Sequence, residues 1–108
     1  MITAKFIFGR DSLITGFEIS GHSDYSQQGS DIVCASVSSA AYMTANTITE
    51  VIQLQADIKV SDGYMCLKLC DSDVEKSADI LAGFLIHVME LSKEYPQYIK
   101  IERGANNA

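Results

Sequence analysis

Apolar and polar residues alternate in several short segments of this chain, which is the pattern of strands with one buried face. Residues 2–8 and 13–20 are rich in Phe, Ile and Thr, and the polar link 9–12 between them predicts a hairpin turn. In the second segment Thr15, Phe17 and Ile19 are every second residue, so their side chains lie on the same face of the strand. The chain therefore opens with two antiparallel strands.

A polar, glycine-bounded stretch follows at residues 21–29 and predicts an irregular loop. Apolar residues then recur at helical spacing over residues 31–51, and Ser30 or Asp31 can cap the first amides of this helix. The apolar positions with this spacing are Ile32, Val33, Val37, Ala40, Ile48 and Val51. The pattern predicts a first helix from residue 31 to residue 51.

The clearest turn in the chain is Asp62-Gly63, the signature of a two-residue type I′ hairpin. This turn pairs Ser61 with Tyr64, and its register sets Asp57 opposite Lys68 as a favourable cross-strand charge pair. Further pairs are Val60 with Met65 and Ile58 with Leu67. One face then carries Ile58, Val60, Met65, Leu67 and Leu69, and the other carries Lys59, Cys66 and Lys68.

A second helical segment follows, in which Ser72 and Glu75 have the spacing of a capping box. Pro96 closes this segment. Its apolar stripe consists of Val74, Ala78, Leu81, Phe84, Leu85, Val88 and Leu91. Residues 98–103 alternate again as a last strand, and residues 104–108 are expected to form a frayed tail.

The predicted element order is ββαββαβ in one domain spanning residues 1–108. Two hairpins cannot build a doubly wound parallel sheet, so the fold class is α+β. We expect a mixed or antiparallel sheet with both helices packed on one face. Strand order does not follow from these patterns.

Composition narrows the class of protein further. Of 108 residues, 47% are apolar and 20% charged, which excludes disorder. No apolar run reaches the roughly 20 residues that a membrane helix needs, and residues 1–5 do not read as a signal peptide, so a cytoplasmic location is expected. The net charge of −6 and the lack of a Lys/Arg cluster disfavour direct nucleic-acid binding. Three cysteines in such a protein predict no structural disulfide.

Cys34 is the one thiol with an activating environment in the predicted fold. If Asp31 caps the first helix, Cys34 lies in its opening turn, where free amides and the helix dipole favour a thiolate and can form an oxyanion hole. His22 lies 12 residues earlier in the flexible loop, within reach as a base. By spacing alone, a buried packing Cys and a solvated His are the commoner interpretation of such residues.

The remaining candidates are weaker. His87 lies off the apolar stripe of the second helix, which favours a solvated or interface role. Cys66 and Cys70 are four residues apart in a strand, about 13 Å, too far for a disulfide or a shared zinc ion, so both are expected to be packing residues. The sequence contains no phosphate loop, catalytic carboxylate pair or metal-spaced cluster. We therefore expect no metal and no cofactor.

The motif Gly21-His22, then Gly29, then residues 31–38 (Asp-Ile-Val-Cys-Ala-Ser-Val-Ser) closely resembles the ribosomal-processing cysteine proteases of Firmicutes and related bacteria. The resemblance extends over nearly the whole chain in the order of elements. It implies a catalytic dyad of Cys34 and His22. It also implies a homodimer that removes a short N-terminal extension from a large-subunit ribosomal protein precursor, cutting after a phenylalanine-containing motif. Ser23 and Ser36 stand where many relatives carry Ala.

Four further residues are candidates for supporting roles in such a protease. Ser38 lies one turn after Cys34, on the same side of the helix. Asp31 either caps the helix or orients His22, and the cap is favoured because a dyad needs no third member. Gly21 and Gly29 are candidate hinges of the loop that carries His22, which would act as a lid.

Two other classes of function compete with the protease. A thiol carrier or redox sensor would use Cys34 without His22 as a base, but neither Cys66 nor Cys70 is an evident resolving thiol. A non-catalytic dimeric module would bind a basic ribosomal protein or assembly factor through its acidic surface.

Overall fold

The computed structural model describes residues 1–23, 25 and 31–105. Within these residues the elements follow the predicted order, with five strands and two helices. The strands are β1 (Ile2–Phe8), β2 (Ile14–Ser20), β3 (Ala56–Ser61), β4 (Tyr64–Leu69) and β5 (Ile99–Ala105). The helices are α1 (Ile32–Asn46), which continues into a π-helical turn at Thr47–Val51, and α2 (Ala78–Glu94).

The strands form one mixed sheet in the order β3-β4-β2-β1-β5. β1 pairs antiparallel with β2, β2 with β4, and β4 with β3. The last strand, β5, pairs parallel with β1, which is possible because α2 carries the chain back across the sheet. The α+β class and the mixed sheet are confirmed.

Both predicted hairpins are present. In the β3–β4 hairpin Ser61 faces Tyr64 and Asp57 faces Lys68, as predicted. The predicted type I′ turn is wrong, because Gly63 has a positive φ of +67° and Asp62 does not. The β1–β2 link contains a 3-10 turn at Arg10–Ser12, and a bulge interrupts the register between Ile7 and Phe8. Local turn chemistry therefore set the register of the central hairpin.

The core lies between one face of the sheet and the two helices. Phe6 of β1, Phe17 of β2 and Phe84 of α2 meet at its centre, with ring centroids 6.5 Å, 5.4 Å and 4.8 Å apart in the three pairs. Such tilted and edge-on contacts are the favoured geometry of aromatic pairs. Val33 and Val37 of α1 belong to the same buried cluster, so both helices cover one face of the sheet, as predicted.

Three local predictions about the helices and the tail are wrong. Ser72 and Glu75 form no capping box, because the chain makes 3-10 turns at Asp71–Asp73 and Glu75–Ser77 before α2 begins. Ile32 and Val51 lie at the ends of the first helical segment and point to solvent, 52% and 75% exposed. Gly104 and Ala105 belong to β5 and not to a frayed tail, because they pair with Ile7 and Phe8 of β1. Residues 106–108 of the predicted tail lie outside the described residues.

The two cysteines beyond α1 differ in environment. Cys66 is buried, opposite Glu18 of β2, as expected of a packing residue. Cys70 follows β4 and is exposed, so its expected role as a packing residue is wrong. No helix in the described part of the chain is both long and apolar enough to cross a membrane.

Candidate active site

Cys34 lies in the first turn of α1, where Asp31 caps the helix. The Asp31 backbone is extended at the cap, and its Oδ1 accepts hydrogen bonds from the amides of Val33 and Cys34, each at 3.0 Å. The amide of Ala35 donates to the Asp31 carbonyl at 3.1 Å. The helix-start amides of residues 33–35 therefore all donate to Asp31. An oxyanion hole formed by these amides stays a prediction.

A different amide points at the sulfur. The backbone N–H of Ser23 donates to Cys34 Sγ at 3.3 Å. An amide donor and the positive end of a helix both stabilise negative charge on a sulfur. Ser23 adjoins His22, so this bond fixes the segment that carries the histidine against the thiol.

The Ser23 side chain completes the link between the two segments. Its hydroxyl donates a short hydrogen bond to Asp31 Oδ2 and accepts one from the amide of Tyr25 at 3.1 Å. Ser23 is 2% exposed. Sequence reasoning noted Ser23 only as a departure from the family pattern, and its position beside His22 was the one signal available.

Burial raises the pKa of the Asp31 carboxyl, but hydrogen bonds from Ser23, Cys34 and Val33 outweigh burial and hold that pKa below its ordinary value. Both oxygens of Asp31 are occupied by Ser23 and the amides of α1. The carboxylate near His22 is that of Asp62, so the geometry gives Asp31 the role of helix cap.

His22 is held between two parts of the fold. The amide of its neighbour Gly21 donates to the carbonyl of Gly63 at 2.9 Å, and the Met1 nitrogen donates a short hydrogen bond to the His22 carbonyl. Its imidazole Nε2 lies 4.0 Å from Asp62 Oδ2 in the β3–β4 turn. Sequence reasoning placed Asp62 in the turn but gave it no connection to His22.

Cys34 and His22 line one cleft of 280 Å³ between the start of α1 and the β3–β4 turn. Ser38 and Gly21 also line this cleft, so the structure brings four of the predicted site residues together. Its other lining residues are largely apolar or aromatic: Ile2, Ile19, Val37, Ala41, Tyr42, Val60, Tyr64 and Met65, together with Ser61, Asp62 and Gly63. The cleft is therefore mainly apolar in its lining, with several polar side chains among the lining residues.

Of the two candidate hinges, Gly21 is among the described residues and Gly29 is not. Gly21 has φ of +89°, and a Cβ at this position would collide with the Met1 carbonyl, so a glycine is required here for close backbone packing. The hinge function of both stays a prediction.

The other reactive side chains lie elsewhere. His87 is exposed on α2 and lines a groove between the two helices, away from Cys34. The free thiols of Cys66 and Cys70 do not line the cleft. Within residues 1–23, 25 and 31–105, no three His, Cys, Asp or Glu side chains are grouped in a way that could hold a metal ion.

The family model and the relative that match this chain belong to one family. The model of the Prp cysteine proteases matches residues 1–100 of the chain. The ribosomal-processing cysteine protease Prp of Staphylococcus aureus is 26% identical over 103 residues, which cover 94% of this chain and 97% of the relative.

Solved structures agree with this assignment. Prp from S. aureus with a covalently linked product peptide superposes with a TM-score of 0.88 at 26% identity, covering 95% of this chain and 99% of that one. The same protease with a substrate peptide gives a TM-score of 0.83 at 25% identity, with the same coverage of both chains. On the match of sequence and fold, the chain belongs to the Prp family of cysteine proteases.

Proposed function

We propose that the chain is an endopeptidase that removes the N-terminal extension of a large-subunit ribosomal protein precursor, cutting after a phenylalanine-containing motif. Cys34 is the nucleophile and His22 the general base and acid. One observation carries the proposal: both side chains open into one cleft, and the amide next to His22 donates to Cys34 Sγ at 3.3 Å.

The reaction proceeds in two half-reactions. His22 takes the proton of the Cys34 thiol, and the thiolate adds to the carbonyl carbon of the scissile peptide bond. Collapse of the tetrahedral adduct breaks the C–N bond as His22 returns the proton to the departing nitrogen. A water then adds to the thioester, giving its proton to His22, and the acid product leaves as Cys34 regains its proton.

The negative oxygen of the tetrahedral adduct needs a donor close to the sulfur. Since the amides of residues 33–35 are bonded to Asp31, the amide of Ser23 is the donor best placed for this role. Asp31 supports the site indirectly, by fixing the start of α1 and by bonding to Ser23. Ser38, exposed on the wall of the cleft, is available to contact the substrate.

Two features favour the ribosomal substrate. The relative that matches most of the chain is a ribosomal-processing protease, and its structures hold a substrate peptide and a covalently linked product peptide. The apolar lining of the cleft suits a phenylalanine-containing segment, and a net charge of −6 attracts a basic ribosomal protein. The same proposal includes a cytoplasmic homodimer in which Gly21 and Gly29 allow the His22 loop to admit the substrate.

Intact-mass analysis of a ribosomal protein precursor carrying its extension tests this function. We expect one cut after the phenylalanine-containing motif with the parent chain. Cys34→Ser should lower the rate on the order of 10⁶-fold, as loss of a nucleophile does elsewhere. His22→Ala should lower it strongly as well.

Matched variants control for the loss of any thiol or imidazole. Cys70→Ser removes an exposed thiol outside the cleft, and His87→Ala removes the other histidine; both should cut at the parental rate. Cleavage that survives in Cys34→Ser or His22→Ala would remove the dyad. A chain that leaves the precursor intact but cuts another peptide through Cys34 would refute only the substrate.

A further inference from the structure

The β3–β4 turn lies against the imidazole of His22 because of the strand order. β2 and β4 are antiparallel neighbours, with Ser20 opposite Tyr64 at the end of the ladder. The residues that follow β2 therefore run beside the residues that precede β4. The hydrogen bond from the Gly21 amide to the Gly63 carbonyl, 2.9 Å, extends this pairing by one step and sets His22 next to the turn.

Gly63 leaves space that the His22 ring fills. A Cβ built at Gly63 would lie 2.8 Å from His22 Nε2, 3.3 Å from its Cε1 and 3.4 Å from its Cδ2. No other contact of that Cβ within 4 Å is as close as these three ring atoms. The ring therefore rests directly on the backbone of the turn, and any side chain at this position would displace it.

Asp62 supplies a charge at the same point. Its Oδ2 lies 4.0 Å from His22 Nε2, and both residues line the cleft that contains Cys34. The Asp62 and His22 side chains are 87% and 53% exposed. A pair this exposed contributes a modest preference for one ring orientation, because water screens it.

We infer that the Asp62-Gly63 turn is a positioning element for His22, in which Gly63 is the surface on which the imidazole rests and the Asp62 carboxylate favours its orientation. The inference rests on the proposed function, since it gives His22 a catalytic task. It adds two positioning residues that act through His22. A general base held about 1 Å from its productive place loses on the order of a hundredfold in rate.

Gly63→Ala tests the surface on which the ring rests. The His22 ring is the far end of a side chain and can swing away, so the fold should survive while kcat falls on the order of a hundredfold and KM changes less than about twofold. Gly63 has φ of +67°, which strains alanine. Gly63→Asn tolerates that φ and also carries a Cβ, so it should give the same loss of kcat if the alanine variant folds poorly.

Gly104→Ala is the matched control for Gly63→Ala. Its Cβ would crowd the ends of two side chains to a similar degree, 2.8 Å from Lys5 Cε and 2.9 Å from Ile7 Cδ1, at a place outside the cleft. We expect parental kcat and KM from this variant. An equal loss of kcat in Gly104→Ala would show that crowding any glycine harms the enzyme, and would overturn the inference.

Asp62→Asn tests the carboxylate alone, because asparagine matches aspartate in size and is equally favoured in turns. The expected result is a fall in kcat of about two- to fivefold with KM unchanged. Asp11→Asn makes the same change of charge in the β1–β2 link, outside the cleft, and should cost nothing. Equal kinetics in the two variants would remove Asp62 from the positioning element.

Imidazole NMR separates this inference from the proposed function. The chain has two histidines, so His87 on α2 serves as an internal reference. In Gly63→Ala the ring resonances of His22 should shift while those of His87 stay unchanged. Unmoved His22 resonances would overturn the inference even in an active protease, and shifted resonances in a chain that cuts no peptide would refute the function and leave the positioning intact.

Discussion

Asp31 shows how one side chain holds two parts of the site together. Its Oδ1 caps α1 just ahead of Cys34, and its Oδ2 accepts from Ser23, next to His22. Removing this carboxylate therefore loosens the nucleophile and the histidine segment at once. The cap could be predicted from the sequence because Asp is a favoured N-cap residue, whereas the contact with Ser23 depends on how residues 21–23 fold back over α1.

Asp31→Ala should lower the free energy of unfolding by about 1 kcal/mol at pH 7, the usual cost of a lost cap. Because the pKa of Asp31 in the folded chain lies below its ordinary value of 3.8, the folded state binds fewer protons than the unfolded state near that pH. The stabilisation is complete above the unfolded pKa and disappears as the pH falls through the folded pKa.

Urea unfolding of both chains at pH 7 and near pH 3 measures this effect. The difference in stability between the parent and Asp31→Ala should shrink at the lower pH. Asp79→Ala, which removes an exposed carboxylate at the start of α2, serves as the control and should show a smaller change. A difference that stays constant or grows as the pH falls would contradict the account.

Short-range signals predicted some elements well and others poorly. The β3–β4 hairpin and its register followed from the Asp62-Gly63 turn and from a period of two. The start of α2 did not, because Ser72 and Glu75 have the right spacing but are used in 3-10 turns. Spacing for a cap predicts a helix start only when the chain continues directly into the helix.

α2 contains one glycine, Gly83, whose added Cβ would meet nothing within 4 Å. Gly83→Ala should therefore raise the free energy of unfolding by about 0.5–1 kcal/mol, since alanine is the better helix former. Thermal or urea unfolding of the two chains checks this. A variant that is less stable than the parent would mean that the α2 surface at this position is in contact with something, such as a second copy of the chain.

At the scale of the whole molecule, the cleft is built by elements far apart in sequence. The segment after β2 contains His22, and the start of α1 contains Cys34. The β3–β4 turn contains Asp62 and Gly63. Strand order β3-β4-β2 brings the turn to His22. Since periodicity does not determine strand order, the sequence indicated the dyad but left its neighbours in the turn without a role.

The mass of the enzyme itself during turnover, after an acid quench, shows most directly whether Cys34 is the nucleophile. We expect a thioester whose added mass is that of the N-terminal fragment less one water. Digestion should locate it on the peptide that contains Cys34. The adduct should be absent in Cys34→Ser and still form in Cys70→Ser. A thioester on Cys66 or Cys70, or cleavage by Cys34→Ser at the parental rate, would contradict this role of Cys34.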